Sequence, residues 1–166
     1  MEPTQQQKAD VLEHVRYEIG GLFPQVRVNP SDVYMSNIVL EAFLLHVRAL
    51  IGFFESKSRW KDSVIPADFG FCQREVPIPD DIETRLNKDL AHITYSRLHQ
   101  KTTPDKRWNF RSIIPCLLPI WIELAEHITS SPPERTSDDG LEKWGVLLRQ
   151  VLLPYQHKLY EEPARG

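Results

Sequence analysis

From Ser31 to Ile51 the chain runs without a glycine or a proline, and it presents Val33, Ile38, Val39, Phe43, Leu44, Val47 and Leu50 on the way to Phe53 and Phe54. A run of that length exceeds an ordinary strand and suits a helix. The spacing predicts a helix over 31–56, opened by Ser31 or Asn29 as a cap. Its apolar residues cover most of the circumference, which places it in the middle of a bundle. One polar stripe remains, made of Asn37, Glu41 and Arg48.

The rest of the chain reads the same way. Val11, Leu12, Val15 and Ile19 predict a helix over 5–20, stopped by Gly20-Gly21. Asp80-Asp81-Ile82-Glu83 has the pattern of a capping box and opens a helix over 80–99, with Ile82, Leu86, Leu90 and Ile93 as its buried stripe. A helix over 108–130 contains Pro115 and Pro119, which predict a kink or a late start. A last helix over 141–160 is interrupted by Gly145 and Pro154 and runs into a polar tail at 161–166. The long connector 57–79 carries Phe69 and Phe71, which are expected to fold back onto the bundle. No strand-rich region and no repeat occurs. The expected fold is therefore all-α, a single-domain bundle of about five helices spanning 1–166.

Composition limits the function. A net charge of −3 over 166 residues excludes a general polycation. Cys72 and Cys116 form neither a disulfide framework nor a metal spacing, and the start is polar, so a cytoplasmic protein is expected. Glu41, His46 and Arg48 interrupt the most apolar stretch, which argues against a membrane span. No Walker loop, dinucleotide fingerprint or nucleophile elbow is present, and no histidine pair has ligand spacing, so neither cofactor nor metal is expected.

The chemistry-bearing stretch is Arg85-Leu86-Asn87-Lys88-Asp89-Leu90-Ala91-His92. Seven residues are two helical turns, so Arg85 and His92 share a face beside the apolar stripe, roughly 10 Å apart at the Cα atoms. His99 extends the line by a further seven residues. An imidazole can move a proton on a ribose hydroxyl, and a guanidinium can hold the charge that builds on a phosphate. The plainer reading is an Arg85–Asp89 pair on a solvated face, with His92 an ordinary surface histidine.

The stretch from Asn87 to Arg97, together with Leu40-Glu41-Ala42-Phe43-Leu44-Leu45-His46-Val47-Arg48 before it, resembles the HEPN superfamily near its abortive-infection branch. The resemblance covers about residues 33–99. It implies a compact helical bundle, usually a homodimer with two motifs meeting in a cleft, and often a metal-independent ribonuclease with an arginine–histidine motif. Arg85 and His92 match that motif at its longest spacing, with Asn87 as the polar residue near the arginine. Leu86 departs from the pattern, because a polar residue is usual after the arginine. Under the resemblance His92 is the general acid/base, Arg85 steadies the phosphate and Asn87 orients substrate or histidine. The activity implied is that of a toxin or phage-defence effector, with RNA as substrate and an antitoxin or other protein as partner. Many members of the superfamily are inactive binding modules.

Between Arg85 and Arg111 seven basic residues face only Asp89 and Asp105, a net +5, while the remainder of the chain carries −8. Lys88, Arg97, His99 and Trp108 are thus candidate RNA contacts, Trp108 by stacking on a base; a solvated helix end is the alternative. Glu41 and Arg48 are expected to pair with each other, or else to line the cleft behind His92. His46 reads as a hydrogen-bonded core histidine, while His14, His127 and His157 carry no pattern. Two other classes stay open: a non-catalytic module for a protein partner or nucleotide, and a structural subunit, which an exposed apolar patch on helix 108–130 would favour.

Overall fold

A computed structural model describes residues 3–27, 32–56, 62–88, 90, 108 and 110–161. Among these residues the chain is all helical, without a strand. The helices are α1 (Gln5–Arg27), α2 (Val33–Phe54), α3 (Asp80–Lys88), α4 (Phe110–Ser130), α5 (Asp138–Leu147) and α6 (Leu153–Glu161). The last two are joined by a π-helical stretch, Leu148–Leu152, so the described residues form five rods.

α1 opens on a reciprocal cap: Gln7 N–H donates to the Thr4 hydroxyl at 3.2 Å and Thr4 N–H to Gln7 Oε1 at 2.8 Å. It does not stop at Gly20-Gly21. Leu22 and Phe23 are fully buried, and the Phe23 ring stands edge-on to Trp121 at 5.7 Å and Tyr155 at 4.9 Å. Burying two such side chains is worth about 1.5–3 kcal/mol each, more than the ~1 kcal/mol a helical glycine costs. Gly20 is a packing position instead, since a Cβ there would lie 3.6 Å from Leu147 Cδ1.

α2 is capped by Asp32, not by Ser31 or Asn29; its carboxylate accepts from the N–H groups of Tyr34 (3.1 Å) and Met35 (3.3 Å). The helix is not the central wall of the bundle. It packs chiefly on α1 and α3 through Phe43, Leu44, Val47, Leu50, Ile51 and Phe54, and it leaves Tyr34, Met35, Ile38 and Leu45 exposed. The centre is α4. Ile113, Ile114, Leu117, Trp121, Leu124, Ala125 and Ile128 are all buried, and α5, the π-helical stretch and α6 pack against this helix. The apolar patch conceived for helix 108–130 is therefore inside the bundle; among the described residues the exposed large apolar side chains are Tyr34, Met35, Ile38 and Leu45 of α2, with Tyr17 of α1 and Val146 of α5. Both helices have the length and hydropathy of a membrane span, but 56% of the α4 window is buried against 39% of the α2 window.

Pro115 and Pro119 neither end nor delay α4. Both are exposed one turn apart, where water can satisfy the carbonyls they leave without a donor. Pro154 is handled differently. In a regular α-turn its ring would meet the Gln150 carbonyl, and the π turn ahead of it widens the ladder so that Leu153 N–H reaches Leu148 O. α5 starts at Asp138 under a Ser137 cap, earlier than 141, and Gly145 is an ordinary buried helical residue.

The connector 62–79 is a strap with its own core. Phe69, Phe71, Val76 and Ile78 are buried, and both phenylalanines fold onto the bundle, Phe69 beside Phe53 and Phe71 beside Phe54. The 3-10 turn Pro66–Phe69 closes on Gly70 at φ 71°, a left-handed conformation that favours glycine. His127 of α4 fixes the turn through Nε2 to the Phe69 carbonyl at 3.0 Å. The nearly buried Glu55 carboxylate accepts from Val76 N–H at 3.1 Å, and its carbonyl accepts from Gln73 Nε2 at 2.8 Å.

If α4 is the centre, Trp121→Ala lowers the unfolding free energy by about 3–5 kcal/mol in urea titrations, the usual cost of emptying a large core site. Pro119→Ala on the exposed side of the same helix raises stability, because it restores a ladder donor.

Candidate functional site

The helix expected over 80–99 ends at Lys88, where Leu90 lies in a turn whose N–H donates to the Arg85 carbonyl, so the unbroken helix from Arg85 to His92 that the spacing assumed is not formed. α3 is short, and its ends are charged to suit its dipole: Asp80, Asp81 and Glu83 in the first turn, Arg85 and Lys88 in the last. The expected capping box at Asp80 is not formed. Pro79 occupies the cap position, and its carbonyl accepts from the N–H groups of Ile82 and Glu83. Leu86, almost wholly buried, anchors the helix, and Ile82 and Leu90 pack partly against the core.

That anchoring sets the directions of the neighbouring side chains. Asn87 turns toward α2, where its Oδ1 accepts from Arg48 Nε at 3.3 Å. Glu83, Leu86 and Asn87 of α3 and Arg48, Ile51 and Gly52 of α2 line a cleft of about 200 Å³. Arg85 lies across the face of Trp108, its guanidinium carbon 4.2 Å from the ring centroid, and both residues are half-buried. Lys88 is exposed at the end of the helix.

The fold thus joins four of the residues singled out in the sequence, in pairings that spacing does not reveal. Arg48 does not pair with Glu41. Two turns of one helix separate those residues by ~10 Å, whereas α3 brings Asn87 within hydrogen-bond reach. Glu41 is exposed and away from the cleft. Trp108 has Arg85 against one of its faces, so that face is not available to a base. His92, Arg97 and His99, and with them Asp89 of the alternative Arg85–Asp89 pair, lie outside the described residues.

The described cluster carries side chains of the kind that bind anions. Arg85 is held over the indole by cation–π attraction, with its Nε buried. The Asn87 amide lies on the other side of the helix, beside Arg48. Among the described histidines none joins the cluster. His46 of α2 sits against the Glu18 carboxylate of α1, a hydrogen-bonded structural histidine. Among the described residues no three His, Cys, Asp or Glu side chains gather as metal ligands. Burial raises the Cys116 thiol pKa, and Sγ donates to the Ser112 carbonyl, both of which disfavour the thiolate.

Two features have no clear signal in the sequence. One is the clamp by His127. The other is a wider, shallower groove of about 660 Å³ between α1 and α2, with Val11, His14, Glu18, Leu45, Ala49 and Val64 among its walls. Ala49 and Gly52 are small residues on an otherwise bulky helix, and that alone hints at the depression.

Comparisons with protein-family models, with curated proteins and with solved structures found no match to this chain.

The Arg85–Trp108 stack has a measurable signature. In a double-mutant cycle of Arg85→Gln and Trp108→Leu, followed by urea unfolding, the coupling is about 0.5–2 kcal/mol in favour of the pair. A coupling of zero removes the stack from the description.

Proposed function

We propose that this chain is a HEPN-like, metal-independent endoribonuclease of the toxin or phage-defence kind, acting in the cytoplasm. The observation that carries the reading is the pair of cation contacts at α3: Arg85 over Trp108, and Arg48 bonded to Asn87 on the wall of a cleft. Two positioned guanidinium groups, those of Arg85 and Arg48, suit a phosphodiester. The basic segment from Arg85 to Arg111 supplies the attraction for RNA in an otherwise acidic chain.

In the proposed reaction the ribose 2′-hydroxyl attacks the adjacent phosphorus and loses its proton to a general base. The bond from phosphorus to the 5′-oxygen breaks, and that oxygen takes up a proton. The products are a 2′,3′-cyclic phosphate and a free 5′-hydroxyl. His92 is the proton-transfer group, Arg85 offsets the charge on the pentacoordinate phosphorus, and Asn87 orients the reacting groups. Lys88, Arg97 and His99 hold the flanking backbone. Trp108 acts through Arg85 and not as a base platform. Glu41 has no part.

The rival is a non-catalytic HEPN-like module that binds a protein partner or a nucleotide. The apolar outer side of α2, with Tyr34, Met35, Ile38 and Leu45 exposed, favours it.

Incubation of a mixed RNA pool with the purified protein in EDTA separates the two. The ribonuclease reading predicts products with cyclic-phosphate ends, a loss of rate of about 10²–10⁴-fold in His92→Ala, and a loss of about 10²–10³-fold in Arg85→Ala. No cleavage, or equal cleavage by wild type and His92→Ala, leaves the binding module.

A further inference from the structure

We infer that the groove between α1 and α2 is a binding site for a small amphipathic carboxylate, a single acyl chain of medium length whose head group pairs with Arg48. The inference does not depend on the ribonuclease reading. At about 660 Å³ the groove has the size of a ligand pocket, for which ~300–1,000 Å³ is usual. Its floor is apolar and buried, made of Val15 from α1 with Leu50 and Phe53 from α2. Val11, Leu45 and Val64 continue the apolar lining as walls.

The groove has a direction. His46, next to Leu45, sits against Glu18 and marks one end. Lys8 reaches Asp68 at 3.8 Å, which brings the start of α1 to the strap that supplies Val64 at the other end. Val11 and Glu18 are seven residues apart on α1, so about 10 Å of helix borders the groove. A long apolar trough of this kind suits an extended chain. A nucleotide would set a polar base and phosphates against the apolar floor.

Charge selects the head group. Arg48 is the permanent cation of the lining and Glu18 its carboxylate, and Glu18 is engaged by His46. Asn87 accepts from Arg48 Nε, and among the described residues no acceptor meets the Nη groups. A guanidinium with free Nη donors matches the two oxygens of a carboxylate. A phosphate head would carry more negative charge toward Glu18, so the singly charged carboxylate is favoured. Arg48 and Gly52 line both this groove and the cleft at α3. A carboxylate held on Arg48 therefore steadies the side chain that Asn87 meets, and occupancy of the groove is felt at α3.

Titration calorimetry of the full chain with decanoate, kept below its micellar range, tests the site. One decanoate is expected per chain, and the Asn87 side-chain amide should shift in nitrogen–proton correlation spectra. Decanol keeps the chain and lacks the charge. It should bind about 10–100-fold more weakly, the factor that a charged hydrogen bond supplies. Arg48→Met should weaken decanoate by the same factor and leave decanol unchanged. Ala49→Phe, at an exposed position in the lining, should abolish binding of both with an unchanged helical circular-dichroism spectrum. The decanol comparison needs no variant, so it decides even where a substitution unfolds the chain. Failure of decanoate to saturate overturns the assignment, and so does equal affinity for decanol. Uptake of many decanoates per chain overturns it as well, giving adsorption to the surface. A bound decanoate that leaves the Asn87 amide unmoved removes Arg48 as its anchor and overturns the site as drawn.

Discussion

The burial of α4 is the constraint on which the rest of the structure depends. One helix supplies Ile113, Leu117, Trp121, Leu124 and Ile128 to the core, all with essentially no exposure. α1 must extend past two glycines to set Phe23 against Trp121, and the rod α5–α6 must pass Pro154 without leaving the helix. His127, near the end of α4, reaches the turn at Phe69 and ties the long strap to the same core. Each accommodation trades a local penalty of about 1–3 kcal/mol for apolar area removed from water.

That arrangement leaves α2 and α3 on the outside, and the candidate site is built there. α3 is only nine residues long, too short to be stable alone. Its position comes from Leu86 in the core, Asn87 on Arg48 and Arg85 on Trp108. The last two contacts hold the polar side chains that the proposed ribonuclease needs, so the forces that place the helix also aim its chemistry. The arrangement is sensitive: loss of Trp108 would remove the cation–π contact that helps to position the Arg85 side chain.

Much of the fold was legible in the sequence. Helical periodicity locates the described rods, because a 3.6-residue repeat is a property of local spacing, but not their ends: the helix expected over 80–99 stops at Lys88. Which rod is central was not legible in that way. α2 and α4 both look apolar nearly all round, and the difference lies in their neighbours. A finer reading had a clue: Pro115, Pro119, Glu123 and Glu126 fall on one side of α4 and are all exposed, a narrow solvent stripe on a helix otherwise buried. Gly20-Gly21 misleads for a related reason, since a glycine ends a helix only when nothing beyond it needs burying. Of the site, Arg85 and Asn87 stand out by residue type and by the HEPN resemblance. Their partners Trp108 and Arg48 are distant in sequence, and pairings across elements leave no periodic trace. Arg48 and Glu41 illustrate this, as their shared spacing suggested a bond that α3 supersedes.

The central claim is that the α3 side of the molecule engages single-stranded RNA. Hydrogen exchange with and without an RNA oligonucleotide, in EDTA and with His92→Ala to prevent turnover, tests it most directly. The account predicts slower exchange over α3 and over the turn of α2 that bears Arg48, with α4 unchanged. Protection confined to any other surface, or none at RNA concentrations that saturate binding, would contradict it.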